Sequence, residues 1–105
     1  MVREEALPDV EELHVIRDEK NGFAAFAGVE AGKLEMLFVA PEKRGRGLGR
    51  ELVEYLVARR GVRRVDVNEQ NAQAAGFYAR MGFRVVSHSE TDPSGRPYPI
   101  LHLSL

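Results

Sequence analysis

The sequence predicts an α/β (α+β) domain. It holds one mixed, mostly antiparallel sheet of about six strands and two main helices, in the order βββαβαββ. Three observations carry this. Short apolar or alternating runs at residues 12–18, 23–29 and 33–39 are separated by turn signals. From Leu48 the apolar spacing lengthens from two to three or four residues. Strand-like runs at 62–67, 83–90 and 98–105 then follow, with a second helical stretch at 71–82 among them.

The elements are justified in order. Asn21-Gly22, between the first two runs, is the strongest short hairpin signal, because both residues tolerate positive φ. Residues 30–32 (Glu-Ala-Gly) make a second turn into the third run, so residues 12–39 read as a three-strand antiparallel meander. Pro41 ends its last strand, since proline cannot donate to a ladder. Leu48, Leu52, Tyr55, Leu56 and Arg59, with Val53 and Val57 beside them, form one wide apolar helix stripe. Arg59 and Arg60 suit its C-terminal dipole and Gly61 its stop. Asn71 is a good N-cap for the second helix and Gly82 ends it.

Composition narrows the function. The 105 residues make a single domain, 1–105, with residues 1–10 expected as a tail or short helix ended by Pro8. A net charge of −1 gives no whole-molecule attraction to nucleic acid or anionic membrane, so neither is expected as a partner. No cysteine is present, which excludes disulfides, a thiolate nucleophile and cysteine metal sites. His14, His88 and His102 are scattered without metal-ligand spacing, and no metal is expected. No run has signal-peptide or membrane-span character, so a cytoplasmic protein is expected.

The most informative stretch is Arg-Gly-Arg-Gly-Leu-Gly-Arg, residues 44–50, between a strand and a helix. Backbone N–H groups there meet the positive end of a helix dipole, and glycine lets an anion approach without a Cβ in the way. A P-loop is excluded, because no Lys-Ser or Lys-Thr follows these glycines. A dinucleotide fingerprint would need its third glycine at Arg50, and a meander is the wrong lead into a doubly wound sheet. A pyrophosphate cradle of the pattern [RQ]-x-x-G-x-[GA] is met by Arg44, Gly47 and Gly49. The plain alternative is a solvated Gly/Arg loop.

The surrounding residues resemble the GNAT acetyltransferase superfamily over residues 12–105. The strand ending "LFVAP" and the following "EKRGRGLGRELVEYLV" look like that family's acetyl-CoA motif, and "VDVNEQNAQAAGFYARMGFRVV" is similar to its second motif. With "GRPYP" added, the chain looks most like a small bacterial branch, the YjaB-like acetyltransferases. The resemblance implies acetyl transfer from acetyl-CoA to an amine, borne by a small molecule or a protein.

It also implies site residues. Leu37, Phe38 and Val39 lie where the family's strand offers backbone hydrogen bonds to the pantetheine arm, which asks that strand to separate from run 62–67. Arg44, Gly45, Arg46, Gly47, Leu48, Gly49 and Arg50 lie where loop amides hold the pyrophosphate, with Arg44 and Arg46 adding charge-assisted bonds. Asn71 matches a cofactor-contacting asparagine, and Tyr78 the tyrosine that faces the cofactor sulfur and acts as general acid. The plain readings are a helix cap for Asn71 and a core aromatic for Tyr78.

The base stays open among Glu35, Asp66 and Glu69, each of which also reads as a solvated side chain. The family's third-strand acid falls at Lys33. The arginine cluster at 59, 60, 63 and 64 reads mainly as solvated, with a lesser role against the cofactor's 3′-phosphate. The family usually begins with further elements that help build the acceptor site, so the chain reads as N-terminally trimmed. The alternatives are therefore a non-catalytic CoA-binding or regulatory module that lost its acceptor site, and a nucleotide-binding or interaction domain. Runs 23–29 and 33–39 are apolar on both faces, so a homodimer is expected to cover one of them.

Overall fold

Two turns and one crossing strand organise the chain. A computed structural model describes residues 2–7, 10–18, 20 and 22–105. The chain divides into two units, Met1–Val62 and Arg63–Leu105.

The first unit holds four antiparallel strands and one helix: β1 (Val2–Leu7), β2 (Val10–Arg17), β3 (Phe23–Glu30), β4 (Lys33–Val39) and α1 (Leu48–Arg60). The strand β1 corrects the expected tail or short helix, and raises the number of strands among the described residues to seven. It pairs with β2 from Val2↔Ile16 to Leu7↔Val10, so backbone groups at the edge of β2 find partners that a solitary tail would not give them. Met1, Pro8 and Asp9 lie outside the described residues.

The tight two-residue turn forms at the other hairpin from the one with the strongest signal. Asn21 lies outside the described residues. The 18–22 connection is clamped by Asp18, whose carboxylate accepts the N–H groups of Lys20 at 2.9 Å and Gly22 at 2.7 Å. Asp18 N–H also donates to the Gly22 carbonyl at 2.8 Å, and Gly22 is not left-handed. A two-residue loop instead joins β3 to β4, with Ala31 at φ 49° and Gly32 at φ 78°, the signs of a type I′ turn.

The helix α1 packs on β3 and β4. Leu52, Val53 and Leu56 are completely buried, and so are Ala25 and Ala27, whose small side chains let the helix lie close to the sheet. On the same face His14, opposite Ala27, is buried and its ring stands 5.9 Å from that of Tyr55. Its Nε2 donates to Glu12 Oε1 at 2.8 Å, and Arg60 at the end of α1 donates to the same oxygen, also at 2.8 Å. These bonds hold the Glu12 carboxyl below the usual carboxylate range. Between Gly28 and Val29 the register shifts, so Gly28 faces Met36 but Val29 faces Leu34. Glu35 is the extra residue of this bulge. Leu34 therefore joins the helix-covered side and is buried, while Met36 and Phe38 stay on the other, contrary to the single face that simple alternation predicts for all three.

The second unit holds β5 (Arg64–Asn68), α2 (Ala72–Arg80), β6 (Arg84–Ser89) and β7 (Ile100–Ser104). The last strand lies between the other two, antiparallel to both. Val65, Val67 and Leu103 are buried on one face, and Tyr78 and Phe83 complete the unit's core. The connection from β6 to β7 turns on Asp92, whose Oδ1 accepts from the backbone N–H groups of Ser94 and Arg96 and from the Ser94 hydroxyl. No helix among the described residues is long and apolar enough to cross a membrane.

One outcome follows from the β3–β4 turn. Ala31 holds a left-handed conformation that costs an L-residue roughly 1–2 kcal/mol. Ala31→Asn, which supplies the Asn-Gly pair favoured in this turn, should raise the unfolding free energy by about 0.5–1 kcal/mol. Urea unfolding checks it; an unchanged or lower midpoint would show that the turn carries no relievable strain.

Candidate active site

The chain passes from Val39 to Leu48 through one 3₁₀ turn, Pro41–Lys43, and a glycine loop. Ala40 N–H donates to the Ala24 carbonyl at 2.9 Å and Lys43 N–H to the Ala40 carbonyl at 2.8 Å, which pins the start of the loop to β3. The Arg44 guanidinium turns back, its Nε donating to the Val39 carbonyl at 3.1 Å. So the end of β4, with Leu37 and Val39 half-buried and Phe38 exposed, is tied to the first residue of the loop.

Gly45 and Gly47 take φ of 79° and 77°, and a Cβ on either would meet nothing within 4 Å. Glycine is needed here for backbone conformation, and the space beside it is open. Gly47 is the N-cap of α1, and no side chain caps that end. Glu51 N–H makes a helix bond to the Gly47 carbonyl at 2.9 Å. The preceding N–H groups, of Leu48, Gly49 and Arg50, have no acceptor four residues back within the helix and lie at its positive end. Arg44, Arg46 and Arg50 are exposed around them, with Arg50 also 3.5 Å from Glu54. Gly49, the third glycine, sits inside the first helical turn and is not left-handed. The arrangement suits a multiply charged anion.

In the second unit, Asn71 caps α2, accepting the Ala74 N–H at 3.0 Å through Oδ1, as the plain reading has it. Tyr78, two turns on, is buried edge-on against Phe77 at 4.9 Å and Phe83 at 5.6 Å. Burial disfavours the phenolate and pushes the Tyr78 hydroxyl up to about 12, so it remains a proton-bearing donor throughout the neutral range.

The candidate bases lie apart in character. Glu35 is exposed in the β4 bulge, 4.0 Å from Lys33. Glu69 stands 3.4 Å from His88. Asp66 is joined to two residues that sequence reasoning passed over: its Oδ1 is 2.7 Å from His102 Nδ1, and His102 Nε2 is 2.6 Å from Ser89 Oγ. Ser89 and Asp66 are 13 and 36 positions from His102 along the chain, and no local motif announces their meeting.

Comparison with known proteins supplies the family. The family model described as acetyltransferase (GNAT) domain matches residues 9–85. The peptidyl-lysine N-acetyltransferase YjaB of Salmonella typhimurium is 44% identical over 87 residues, which cover 83% of this chain and 58% of that protein. The solution structure of apo-form YjaB from Escherichia coli superposes with a TM-score of 0.78 at 40% identity, over 92% of this chain and 65% of that one. The ribosomal-protein-S18-alanine N-acetyltransferase of Escherichia coli gives a TM-score of 0.69 at 27% identity, over 89% and 66%. The chain thus spans about 58% of the length of the YjaB relative. With two helices among antiparallel strands, and a glycine loop leading into the first helix, the chain belongs to the GNAT acetyltransferase family.

Proposed function

We propose that this chain transfers the acetyl group of acetyl-CoA to a primary amine. The observation that carries the reading is the loop at 44–50, two left-handed glycines leading into a helix N-terminus that no side chain caps, with Arg44, Arg46 and Arg50 exposed in the same stretch, in a chain of the GNAT family. The pyrophosphate of acetyl-CoA is held by the amides of residues 45–50 and by Arg44 and Arg46. Backbone groups of Leu37, Phe38 and Val39 hold the pantetheine arm, and one of their N–H groups stabilises the charge that develops on the thioester oxygen. Asn71 contacts the same arm while capping α2. The similarity to a peptidyl-lysine N-acetyltransferase makes a lysine side chain the first acceptor to try.

Tyr78 serves the departing thiolate. A hydroxyl that titrates at about 12 gives up its proton less readily than a thiol near 8.5, so it acts chiefly by hydrogen-bond donation. A non-catalytic CoA-binding module would bind acetyl-CoA and release no thiol; a thiol-release assay over lysine peptides, polyamines and simple alkylamines separates the two.

Three outcomes are expected. Gly47→Asp places a β-carbon at φ 77° and a negative charge inside the anion cradle. It should weaken acetyl-CoA binding at least about tenfold in calorimetric titration, a loss of roughly 1.4 kcal/mol. A folded variant that binds like the parent would displace the cradle from its role.

Tyr78→Phe keeps the buried ring and deletes the donor. Turnover should fall by about 10²-fold or more while acetyl-CoA affinity holds. Unchanged turnover with a good amine would remove Tyr78 from the chemistry.

Association is the third. Phe26 and Phe38 stack at 5.1 Å on the face of β3 and β4 that α1 leaves uncovered, and Phe38 and Met36 are 39% and 38% exposed there. Pairing of two chains across this face would bury it. Sedimentation at micromolar concentration should report a dimer that Phe38→Glu dissociates. A parent mass near 11.8 kDa with full activity would overturn it.

A further inference from the structure

The sheet of the second unit has a face opposite Val65, Val67 and Leu103, and it carries an array that the acetyl-CoA site does not use. Asp66 on β5 and His102 on β7 are register partners, so they share that face. Ser89 on β6 stands diagonally across from His102, whose register partner is Ser87. The Asp66 carboxylate accepts the Nδ1–H of His102 at 2.7 Å. That tautomer leaves the lone pair on Nε2, which accepts the Ser89 hydroxyl at 2.6 Å. A carboxylate, an imidazole held at both ring nitrogens and a serine hydroxyl, in that order, are the parts that turn serine into a nucleophile. Such an array is identified by its geometry and not by its place in the sequence. All three residues lie within one unit. The side chains of His102 and Asp66 are 32% and 30% exposed, so the ring is oriented from both sides while small molecules can reach the array.

We propose that Ser89 is a nucleophile, with His102 as its base, and that it takes the acyl group from small activated acyl donors. The proposal stands apart from the acetyl-transfer reading and requires nothing of the first unit. Ser89 Oγ forms a bond to the acyl carbon as its proton passes to His102 Nε2, and Asp66 holds the imidazolium. The bond from the acyl carbon to the leaving oxygen breaks, and its electron pair departs with that oxygen. The ring then gives its proton to the departed anion or to solvent. In the second half, water attacks the acyl-serine as it gives a proton to the same nitrogen. That proton returns to Ser89 Oγ as the carboxylic acid is released.

The substrate class follows from what the array supplies. A nucleophile, a base and an orienting carboxylate ease the attack, while the leaving group departs on its own stability. Donors whose leaving group is a weak base, such as aryl esters and acyl phosphates, meet that condition. Arg64 on β5 and Arg84 on β6 are exposed on the same face, both opposite Ser104, one row along from His102. Their positive charge favours a group that leaves as an anion. His88, next to Ser89 in the chain, is instead opposite Leu101 on the other face, and is paired with Glu69 and Glu90.

The test treats the whole chain with 4-nitrophenyl acetate. Nitrophenolate release is followed by stopped flow, and the acid-quenched protein is read by peptide mass spectrometry. The parent should release a burst of about one nitrophenolate per chain before slower turnover, and should carry the acetyl group on Ser89. Ser89→Ala should abolish the burst. His102→Gln should slow labelling of Ser89 by about 10²-fold or more, and Asp66→Asn by about tenfold or more, because the ring loses the partner that fixes its tautomer. His88→Gln should label at the parent rate, and circular dichroism should match the parent in each variant. Acetyl phosphate should also label Ser89, whereas ethyl acetate, whose alkoxide leaves poorly, should not. The parent's own labelling needs no substitution to be decisive: acetyl on Ser89 no more abundant than on exposed Ser87 would overturn the site. So would acetyl on His102 alone, or an undiminished rate in His102→Gln. None of these results bears on acetyl-CoA binding or amine turnover, which test the transfer reading separately.

Discussion

The seat of α1 on two alanines sets the geometry of the first unit. Ala25 and Ala27 are completely buried and present almost no side-chain bulk. The helix therefore approaches the sheet closely enough to bury Leu52, Val53 and Leu56 against it. A larger residue at either alanine would push the helix outward and carry its N-terminus with it. That N-terminus is the end at which the glycine loop enters the helix. Its distance from the end of β4 must be covered by residues 40–47, and the chain does so with one 3₁₀ turn and two left-handed glycines. The loop is thus a short connection that ends in the free N–H groups of the first turn of the helix.

The second unit works on another constraint. Its last strand, β7, enters between β5 and β6, so residues far apart in the chain become lateral neighbours. Alternation then sorts them. Val65, Val67 and Leu103 go inward with Tyr78 and Phe83, and Asp66 and His102 go to the other face. That other face sets the His102 imidazole between the Asp66 carboxylate and the Ser89 hydroxyl.

Local chemistry and turn geometry did not always agree. Asn21-Gly22 carries the strongest turn signal, yet Asp18 captures the N–H groups of Lys20 and Gly22 and shapes a longer connection. Ala31-Gly32 carries a weaker signal and makes the tight left-handed turn, because the strands on either side pair right up to Glu30 and Lys33. A cross-strand ladder offers many hydrogen bonds and overrides a single residue's preference. The bulge at Glu35 has the same origin: the ladder slips by one residue, and Leu34 leaves the face of Met36 and Phe38 to be buried.

What the sequence by itself determined are the features whose physics is local. The period change at Leu48, the glycines at 45 and 47, the Asn71 cap and the apolar face that includes Tyr78 each depend on neighbours within a few residues, and each stands in the structure where the sequence has it. Only the tertiary structure decided the pairing of Val2–Leu7 with β2, since six residues with little apolar patterning become a strand when an edge is offered. It alone decided that Asp66, not Glu35, joins a hydrogen-bonded array. His102 and Ser89 carry no local sign of the hydrogen bond between them. Their meeting depends on which strand lies beside which, and strand order comes from the burial of whole faces rather than from any short run of residues.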